Sequence, residues 1–367
     1  MLLSTNPGHL AWVFAFFWMV VVIGMFRRQP LILLVSLVML LFCIVISVGA
    51  GSVHIPVARV LGVFSERFRC LFTGQLDLTP ESVIVWDLRF PRALLAAAVG
   101  AALSIAGALM QGFLRNPLAD PYVLGVSAGA SVGAALAIMV LSGAGWLGGL
   151  FFTPIFALAG AILAVALVYL LARSGNRVPV VTLLLSGIAL NTVLSALLSF
   201  LIYFSQRNLQ ALIYWLMGSF SGRGWLQVAA VVPYLVIGTG MSIWLARDLN
   251  ALSLGEDAAA TLGVNVERVK QLLLFASTLL TAGAVAVSGI IGFIGLLVPH
   301  VTRILLGPDH RLLIPAAAIW GAAFLVLADL LARTILPTAE MPVGIITSLC
   351  GGPFFLFLLR RKDVRGF

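Results

Sequence analysis

The sequence predicts an all-α integral membrane protein with about ten transmembrane helices and an extra N-terminal span. Of its 367 residues, 62% are hydrophobic and 10% are charged, and the mean hydropathy is +1.14. Apolar runs of roughly 17 to 25 residues recur, which is the length that a helix needs to cross about 30 Å of hydrocarbon. Backbone groups in that layer must bond internally, and the alternating pattern of barrel strands is absent, so the spans are predicted to be helices.

The first thirty residues are interpreted as a separate hydrophobic segment, and the membrane domain is predicted to extend over 31–367. This segment has an apolar run from Leu10 to Phe26, with no basic residue before it and no small-residue cleavage site. A secretory signal peptide would have both. Arg27 and Arg28 follow the run and are expected on the cytoplasmic side. We therefore predict an additional span with an external N-terminus.

Ten further apolar segments are predicted to cross the membrane. They lie near 31–50, 92–113, 123–142, 151–172, 180–204, 225–246, 270–288, 289–306, 312–332 and 342–359. The run from Val269 to Leu306 would be roughly 60 Å long as one helix, about twice the hydrocarbon thickness, so it must fold back around Ser288–Gly292. The polar stretch Gly51–Phe90 is predicted to be an external loop, and the glycine-interrupted segment 209–225 is predicted to be re-entrant or interfacial.

The formal net charge of +9 reflects sidedness in a membrane protein, and nucleic-acid binding is not expected. Most Lys and Arg residues fall on one side of the predicted spans, which should be the cytoplasm and which includes the 250–270 loop. Cys43, Cys70 and Cys350 lack the paired spacing of a disulfide framework or a thiolate metal site.

Catalytic chemistry within the chain is not expected. The four histidines are scattered and no HExxH motif occurs, so neither a metal site nor a cofactor is predicted. Neither lysine has the glycine-rich context of a phosphate-binding loop, so any ATP must be hydrolysed by another subunit.

A stand-alone secondary transporter is the competing class, and it would keep ionisable groups at mid-membrane. The predicted spans are nearly empty of charge. Asp329 is the main exception, and it lies four residues before Arg333, which predicts an ion pair on one helical face near the outer surface. Glu340 falls at the start of an outer helix, where a carboxylate suits the helix dipole.

The loop "NALSLGEDAAATLGVNVERVK" concentrates five charged residues in an otherwise apolar chain. Ser253 and Glu256 have the spacing of a capping box, so a short helix is predicted to begin there and to stop at Gly263. Asn265 is then free to cap the next helix. This loop is interpreted as the docking surface of a separate motor subunit, and an ordinary capped loop is the alternative.

Glycine recurs in "GVSAGASVG" as Gly125, Gly129 and Gly133, which places three small residues on one helical face. Such faces let helices approach closely in lipid. The pattern favours helix packing, and a lining of the substrate path is the alternative.

Several stretches together resemble the FecCD (BtuC-like) permeases. They are "RFPRALLAAAVGAALSIAGALMQGFLRNPLADPYVLGVSAGASVGAA", "LGEDAAATLGV", "GIIGFIGLLVPHVTRILLGPDHR" and "ADLLARTILPTAEMPVGIITSLCGGPFFLFLLRR". The resemblance runs from about residue 31 to the C-terminus. It implies the type II ABC importer permease fold, a homodimer in a bacterial inner membrane, two cytoplasmic ATPase subunits and an external substrate-binding protein.

The resemblance also implies roles for individual residues. The ATPase-coupling residues would be Ser253, Leu254, Gly255, Glu256, Asp257, Ala258, Leu262 and Gly263. The residues that dock the binding protein would be Arg89, Arg92 and Arg333. The translocation path or its inner gate would include Gln111, Asn116, Val180, Val181 and Thr182. Arginine suits a docking role because its planar fork pairs with carboxylates, whereas the alternative is that these arginines anchor helix ends.

The cargo implied by the resemblance is a bulky metal chelate moved inward by alternating access. An iron-siderophore is the first choice because that group of permeases is broad, and cobalamin or haem remain alternatives. A stand-alone secondary transporter would need a free coupling carboxylate within the membrane, whereas Asp329, the main candidate, is predicted to pair with Arg333.

Overall fold

A computed structural model describes residues 29–360 except 52, 74–78, 141–144, 176, 206–207 and 337–338. The described residues form helices and one isolated β-bridge between Ser174 and Arg177, with no strand among them. The predicted N-terminal span over 10–26 lies outside the described residues, as does the C-terminal end of the predicted membrane domain.

Fifteen α-helices are described in this part of the chain. The first eight are α1 (Gln29–Gly49), α2 (Val57–Thr73), α3 (Pro80–Val83), α4 (Phe90–Phe113), α5 (Val126–Val140), α6 (Gly145–Ala172), α7 (Val180–Phe204) and α8 (Leu209–Leu216). The other seven are α9 (Trp225–Trp244), α10 (Ala246–Ser253), α11 (Glu256–Thr261), α12 (Val266–Ser288), α13 (Ile294–Leu306), α14 (His310–Thr334) and α15 (Val343–Arg360). A π-helical turn, Ile84–Arg89, joins α3 to α4, and a 3₁₀ turn, Pro121–Leu124, precedes α5.

Each of the ten predicted spans corresponds to a helix. Within the described residues, seven helical segments are long and apolar enough to cross a membrane, and three shorter apolar helices, α5, α13 and α15, occupy the other predicted spans. The predicted fold-back is confirmed, because α12 ends at Ser288, Gly289 takes a positive φ of 73°, and α13 begins at Ile294.

The predicted external loop over Gly51–Phe90 was wrong in its secondary structure. It contains the 17-residue helix α2, and α3 with the π-helical turn follows. Val60 and Val63 of α2 are fully buried against Ile55 and Val85, while its polar residues lie on the remaining faces. A helix that buries one apolar face carries too much polar surface to stand out by hydropathy alone.

The centre of the bundle is α4, which packs against α9, α12, α13 and α14. Its small residues permit this crowding. A Cβ at Gly107 would lie only 1.7 Å from the carbonyl oxygen of Gly295 in α13, so the two backbones touch. By contrast, Leu183 and Gly187 are the buried residues of the 25-residue α7, which leaves most of that helix on the outside of the single chain.

The glycine face predicted in α5 packs against another helix. A Cβ at Gly129 would lie 2.3 Å from the Gly160 carbonyl oxygen, and one at Gly133 would lie 2.0 Å from that of Phe156. Both contacts are made with α6, which supports helix packing over a lining of the path. Gly125 lies outside the helix, since it ends the 3₁₀ turn with a φ of 86°.

Candidate functional sites

The three predicted docking arginines converge at one end of the bundle. Arg89, Arg92 and Arg333 line a common cavity of about 370 Å³. The other residues around it are Gly51, Val53, Ile84, Leu88, Leu336, Ala339 and Glu340. The predicted convergence of these arginines, 244 positions apart at the extremes, is therefore present in the fold. We call Arg89, Arg92 and Arg333 the arginine cluster.

Arg92 holds the cluster together through two carboxylates. Its Nε and Nη2 donate to the two oxygens of Asp329 at 3.0 and 2.8 Å, and its Nη1 donates to Glu340 Oε2 at 2.9 Å. The Asp329 side chain is only 1% exposed, whereas that of Glu340 is 44% exposed. Arg92 therefore has one buried partner and one partner that solvent can reach.

The predicted pair between Asp329 and Arg333 is present but is the weaker of the two Asp329 contacts. Arg333 Nε lies 3.7 Å from Asp329 Oδ2. Arg333 Nη2 also donates to the hydroxyl of Ser47 at 2.7 Å and to its carbonyl oxygen. Asp329 thus links α4 to α14, and Arg333 links α14 to the end of α1.

Arg89 is used differently from the other two arginines. It is 8% exposed, and its guanidinium donates to the carbonyl oxygens of Val48, Gly49 and Val53 at 3.0, 3.1 and 2.6 Å. The last carbonyls of a helix have no partner within the helix. Arg89 supplies donors to those of α1, which corresponds to the anchoring alternative. Gly51 provides the space that the Arg89 guanidinium occupies, since a Cβ at Gly51 would lie 2.5 Å from Arg89 Nη2.

Glu340 remains ionised beside the cluster. Burial opposes its ionisation, but the charge and hydrogen bonds of Arg92 hold the pKa of the Glu340 carboxyl below its usual value. The exposed carboxylate therefore competes for Arg92 with any acidic group that approaches from outside.

The predicted coupling segment, residues 253–263, starts differently from the expectation. Ser253 is the last residue of α10, and its hydroxyl donates to the Leu249 carbonyl oxygen at 2.9 Å. The predicted capping box with Glu256 is therefore wrong. Gly255, with a φ of 119°, makes the turn into α11 instead, a conformation that favours glycine. The hydroxyl is unavailable because α10 continues up to Ser253.

The rest of the coupling segment follows the prediction. The helix α11 ends at Thr261, and Gly263 leaves it with a φ of 84°. Asn265 caps α12, since its side chain accepts a hydrogen bond from the Arg268 amide. Ala258 and Glu256 are half-buried. The exposed residues of the segment are Ser253, Leu254, Asp257, Ala260, Thr261, Leu262 and Gly263.

Exposed leucines distinguish the coupling segment from an ordinary polar loop. Leu254 is 72% exposed and Leu262 is 65% exposed, on either side of the acidic first turn of α11. Asp257 lies between them and is also exposed. Apolar side chains combined with charge on a protruding element are typical of a surface that another protein covers.

Asn250 of α10, the helix that leads into the coupling segment, attaches α10 to the start of α14. Its amide nitrogen donates to Asp309 Oδ1 at 2.7 Å, and its oxygen accepts from the His310 backbone amide at 2.9 Å. The pKa of the Asp309 carboxyl lies below its usual value because the Arg311 backbone amide and then Asn250 donate to it. These bonds fix α10 to the start of α14.

The predicted path and gate residues lie in different parts of the fold. Gln111 is 2% exposed inside α4, where its Nε2 donates to the Leu296 carbonyl oxygen at 3.0 Å. Within the described part of the chain, its Oε1 has no hydrogen-bond partner. Asn116 lies in the exposed turn after α4 and accepts from the Leu118 amide.

Val180, Val181 and Thr182 open α7. Val180 is partly buried, whereas Val181 is 68% exposed and Thr182 is also exposed. Val181 and Thr182 therefore belong to the outward face of α7, whereas Gln111 lies in the core.

Lys270 was not predicted as a functional residue, although it lies in the predicted cytoplasmic loop. Its side chain is 4% exposed, and its Nζ contacts Glu256 at 2.7 Å and Glu267 at 3.2 Å. The spacing of Glu267 and Lys270 in the first turn of a helix was a signal for the second contact. The first contact depends on how α11 folds back onto α12.

Known proteins are similar to this chain over most of its length. The chain is 48% identical over 288 residues to the cobalamin import system permease protein BtuC of Halobacterium salinarum, covering 78% of this chain and 76% of that one. It is 40% identical over 345 residues to the hemin transport system permease protein HmuU of Yersinia pestis, covering 92% and 97%. A solved inward-facing metal-chelate type ABC transporter is 32% identical with a TM-score of 0.76, covering 90% and 99%. The model of the FecCD transport family matches residues 39–361, and the chain therefore belongs to that family.

Proposed function

We propose that this chain is the permease subunit of an ABC importer that carries a metal chelate into the cell. The observation that carries the proposal is the coupling segment, which exposes Leu254, Asp257 and Leu262 at one end of a membrane bundle that lacks a phosphate-binding loop. A separate ATPase fits such a surface. Iron-siderophores, haem and cobalamin form the proposed cargo class, because relatives at 37 to 48% identity are named for import of iron chelates, hemin or cobalamin.

A second copy of the chain is proposed to complete the path. Most of the surface of α7 is exposed in the single chain. This exposed surface is largely apolar, and four Ser and Thr residues interrupt it, namely Thr182, Thr192, Ser195 and Ser199. The hydroxyls of Thr192 and Ser199 donate to the carbonyl oxygens of Ile188 and Ser195 in the same helix. Small polar residues of this kind are enriched where membrane helices pack together, so this face suits a contact or a path between two copies. The remaining exposed aliphatic surface of the bundle would face membrane lipid.

The arginine cluster is proposed to dock an external substrate-binding protein. Arg92 presents a charged fork beside the exposed Glu340, and a carboxylate of the partner can replace Glu340 without moving Asp329. Arg333 adds positive charge from the next helix. Arg89 supports this surface from below by holding the end of α1 in place.

We expect uptake in proteoliposomes to require ATP on the cytoplasmic side and the cognate binding protein on the other. The described spans offer Asp329 as a buried carboxylate, and two arginines neutralise it, so it is not free to bind a coupling ion. Radiolabelled iron-hydroxamate, hemin and cobalamin are tested separately, each with proton and sodium gradients collapsed by ionophores. Uptake driven by a gradient in the absence of ATP would establish the secondary transporter instead.

Replacing Leu254 and Leu262 together by serine is expected to weaken ATPase binding about tenfold or more, because interface leucines lose their buried contacts. The permease itself should fold normally, since both side chains are exposed. Co-purification of the ATPase at graded concentrations measures the effect. Arg311→Ala, an exposed change outside the coupling segment, is the control. Equal ATPase affinity for the double variant and the wild type would remove this segment from the interface.

A further inference from the structure

We propose that Glu267 and Lys270 form a polar bridge that transmits movement of the coupling segment to the start of α7. This inference rests on the proposed function, and it describes how movement of the ATPase would be transmitted to the path. The bridge joins α11 and the first turn of α12, which are neighbours in the chain, to the residues that lead into α7, 89 positions before Glu267.

The bridge is continuous in its hydrogen bonds. Lys270 Nζ donates to Glu256 Oε2 of α11 at 2.7 Å and to Glu267 Oε1 at 3.2 Å. The other oxygen of Glu267, Oε2, accepts from the backbone amide of Val178 at 3.1 Å. One carboxylate thus connects the lysine to the chain just before α7.

Burial makes the lysine end of the bridge resistant to stretching. The Lys270 side chain is 4% exposed, so its ammonium group depends on the two carboxylates for its stability. Glu256 and Glu267 are 40% and 28% exposed, so the lysine is the buried member of each pair. Charge-assisted hydrogen bonds are among the stronger ones, and loss of a carboxylate would leave the buried ammonium with less compensating charge. Displacement of Glu256 should therefore move Lys270 and its helix rather than break the contact.

The connection to α7 has little slack. Val178 is 2% exposed, and Pro179 follows it as the N-cap of α7 with a φ of −65°. Proline fixes that φ, which removes one of the backbone rotations through which this connection could absorb a shift. Val180 comes next and is partly buried, and Val181 and Thr182 begin the exposed face of α7. A shift of Glu267 is thus passed to the first turn of the proposed path helix.

A purely structural role for the bridge predicts a different result from a role in transmitting movement. If the bridge only holds the loop in shape, its loss lowers stability or ATPase binding while each hydrolysed ATP still moves the same amount of substrate. If the bridge transmits movement, the assembled complex hydrolyses ATP with less transport for each ATP. The ratio of uptake to hydrolysis separates the two roles.

The test uses the complete importer in proteoliposomes, with radiolabelled iron-hydroxamate, hemin and cobalamin supplied separately as probes. Glu267→Gln keeps an oxygen for the Val178 amide but removes the charge that pairs with Lys270, and Lys270→Met removes the ammonium. We expect both to lower uptake per ATP severalfold, because hydrolysis would continue while less of the movement reaches α7. Lys270→Arg should restore most of the ratio. Arg268→Met, an exposed cation in the same helical turn, is the matched control.

The outcomes distinguish the bridge from the proposed function. An unchanged ratio in Glu267→Gln overturns the bridge, and this variant decides the matter if Lys270→Met fails to assemble. A reduced ratio in Arg268→Met equal to that of Glu267→Gln also overturns it, since charge in the first turn of α12 would then suffice. If the wild type takes up substrate without ATP, the proposed function fails irrespective of the variants.

Discussion

Replacing Gly133 by valine is expected to abolish the folded permease. A Cβ at this position would lie 2.0 Å from the carbonyl oxygen and 2.7 Å from the carbonyl carbon of Phe156 in α6. Both are backbone atoms, so a side-chain rotation cannot relieve the overlap, and α5 would have to move away from α6. Helix association in lipid depends on such close packing. The yield of monodisperse protein after detergent extraction measures the result.

Gly240→Val is the matched control, because it makes the same change in a membrane helix without the contact. A Cβ at Gly240 would meet no other atom within 4 Å in the described part of the chain. Its expected cost is small, since valine has a better helix propensity than glycine. Similar losses for the two variants would show that the side chain itself, and not the approach of α6, causes the failure.

The glycine contacts show why the spans could be predicted and their partners could not. Hydropathy located every described span, because each must be apolar along its length. The predicted ends lie within a few residues of those of α1, α4 and α7. A glycine pattern shows that some helix comes close, but nothing in the sequence says that Gly133 meets Phe156 or that Gly107 meets Gly295.

Amphipathic and local features were harder to predict. The helix α2 was missed because its charged residues lower its hydropathy, although Val60 and Val63 have helical spacing. The capping box failed because the pattern of Ser253 and Glu256 does not reveal that α10 extends to Ser253. The cap at Asn265 succeeded because no preceding helix competes for that side chain.

The arginine cluster was predicted as a set, and the Asp329–Arg333 pair was predicted with it, but the partners of Arg89 and Arg92 were not. Topology alone places Arg89, Arg92 and Arg333 at the same end of the bundle. Only the folded chain shows that Arg89 is occupied by the carbonyls of α1 and that Arg92 lies between Asp329 and Glu340. Charge reversal at Arg89 would therefore disrupt α1, so it is a poor test of docking. Arg92 and its exposed partner allow a sharper one.

Changes at Glu340 and Arg92 are expected to alter the affinity of the binding protein in opposite directions. Glu340→Gln removes the carboxylate that competes for Arg92, so the binding protein should bind a few-fold more tightly. Arg92→Gln removes the fork that the partner's carboxylate would contact, and affinity should fall about tenfold or more. Both shifts should shrink as salt is raised from 50 mM to 500 mM, because the shorter Debye length screens exposed charges.

Opposite changes in binding-protein affinity for the two variants would distinguish a docking role of Arg92 from an anchoring role. If Arg92 only anchors helix ends, Glu340→Gln loosens the cluster and Arg92→Gln loosens it further, so neither variant binds more tightly than the wild type. Arg92→Gln also removes the closest partner of the buried Asp329, and breaking such a pair costs about 3 to 5 kcal/mol of stability. The thermal stability and ATPase binding of this variant are therefore measured as well. Glu340→Gln carries no such risk, because its side chain is 44% exposed. Unchanged or weaker binding by Glu340→Gln at low salt would therefore reject the docking role on its own.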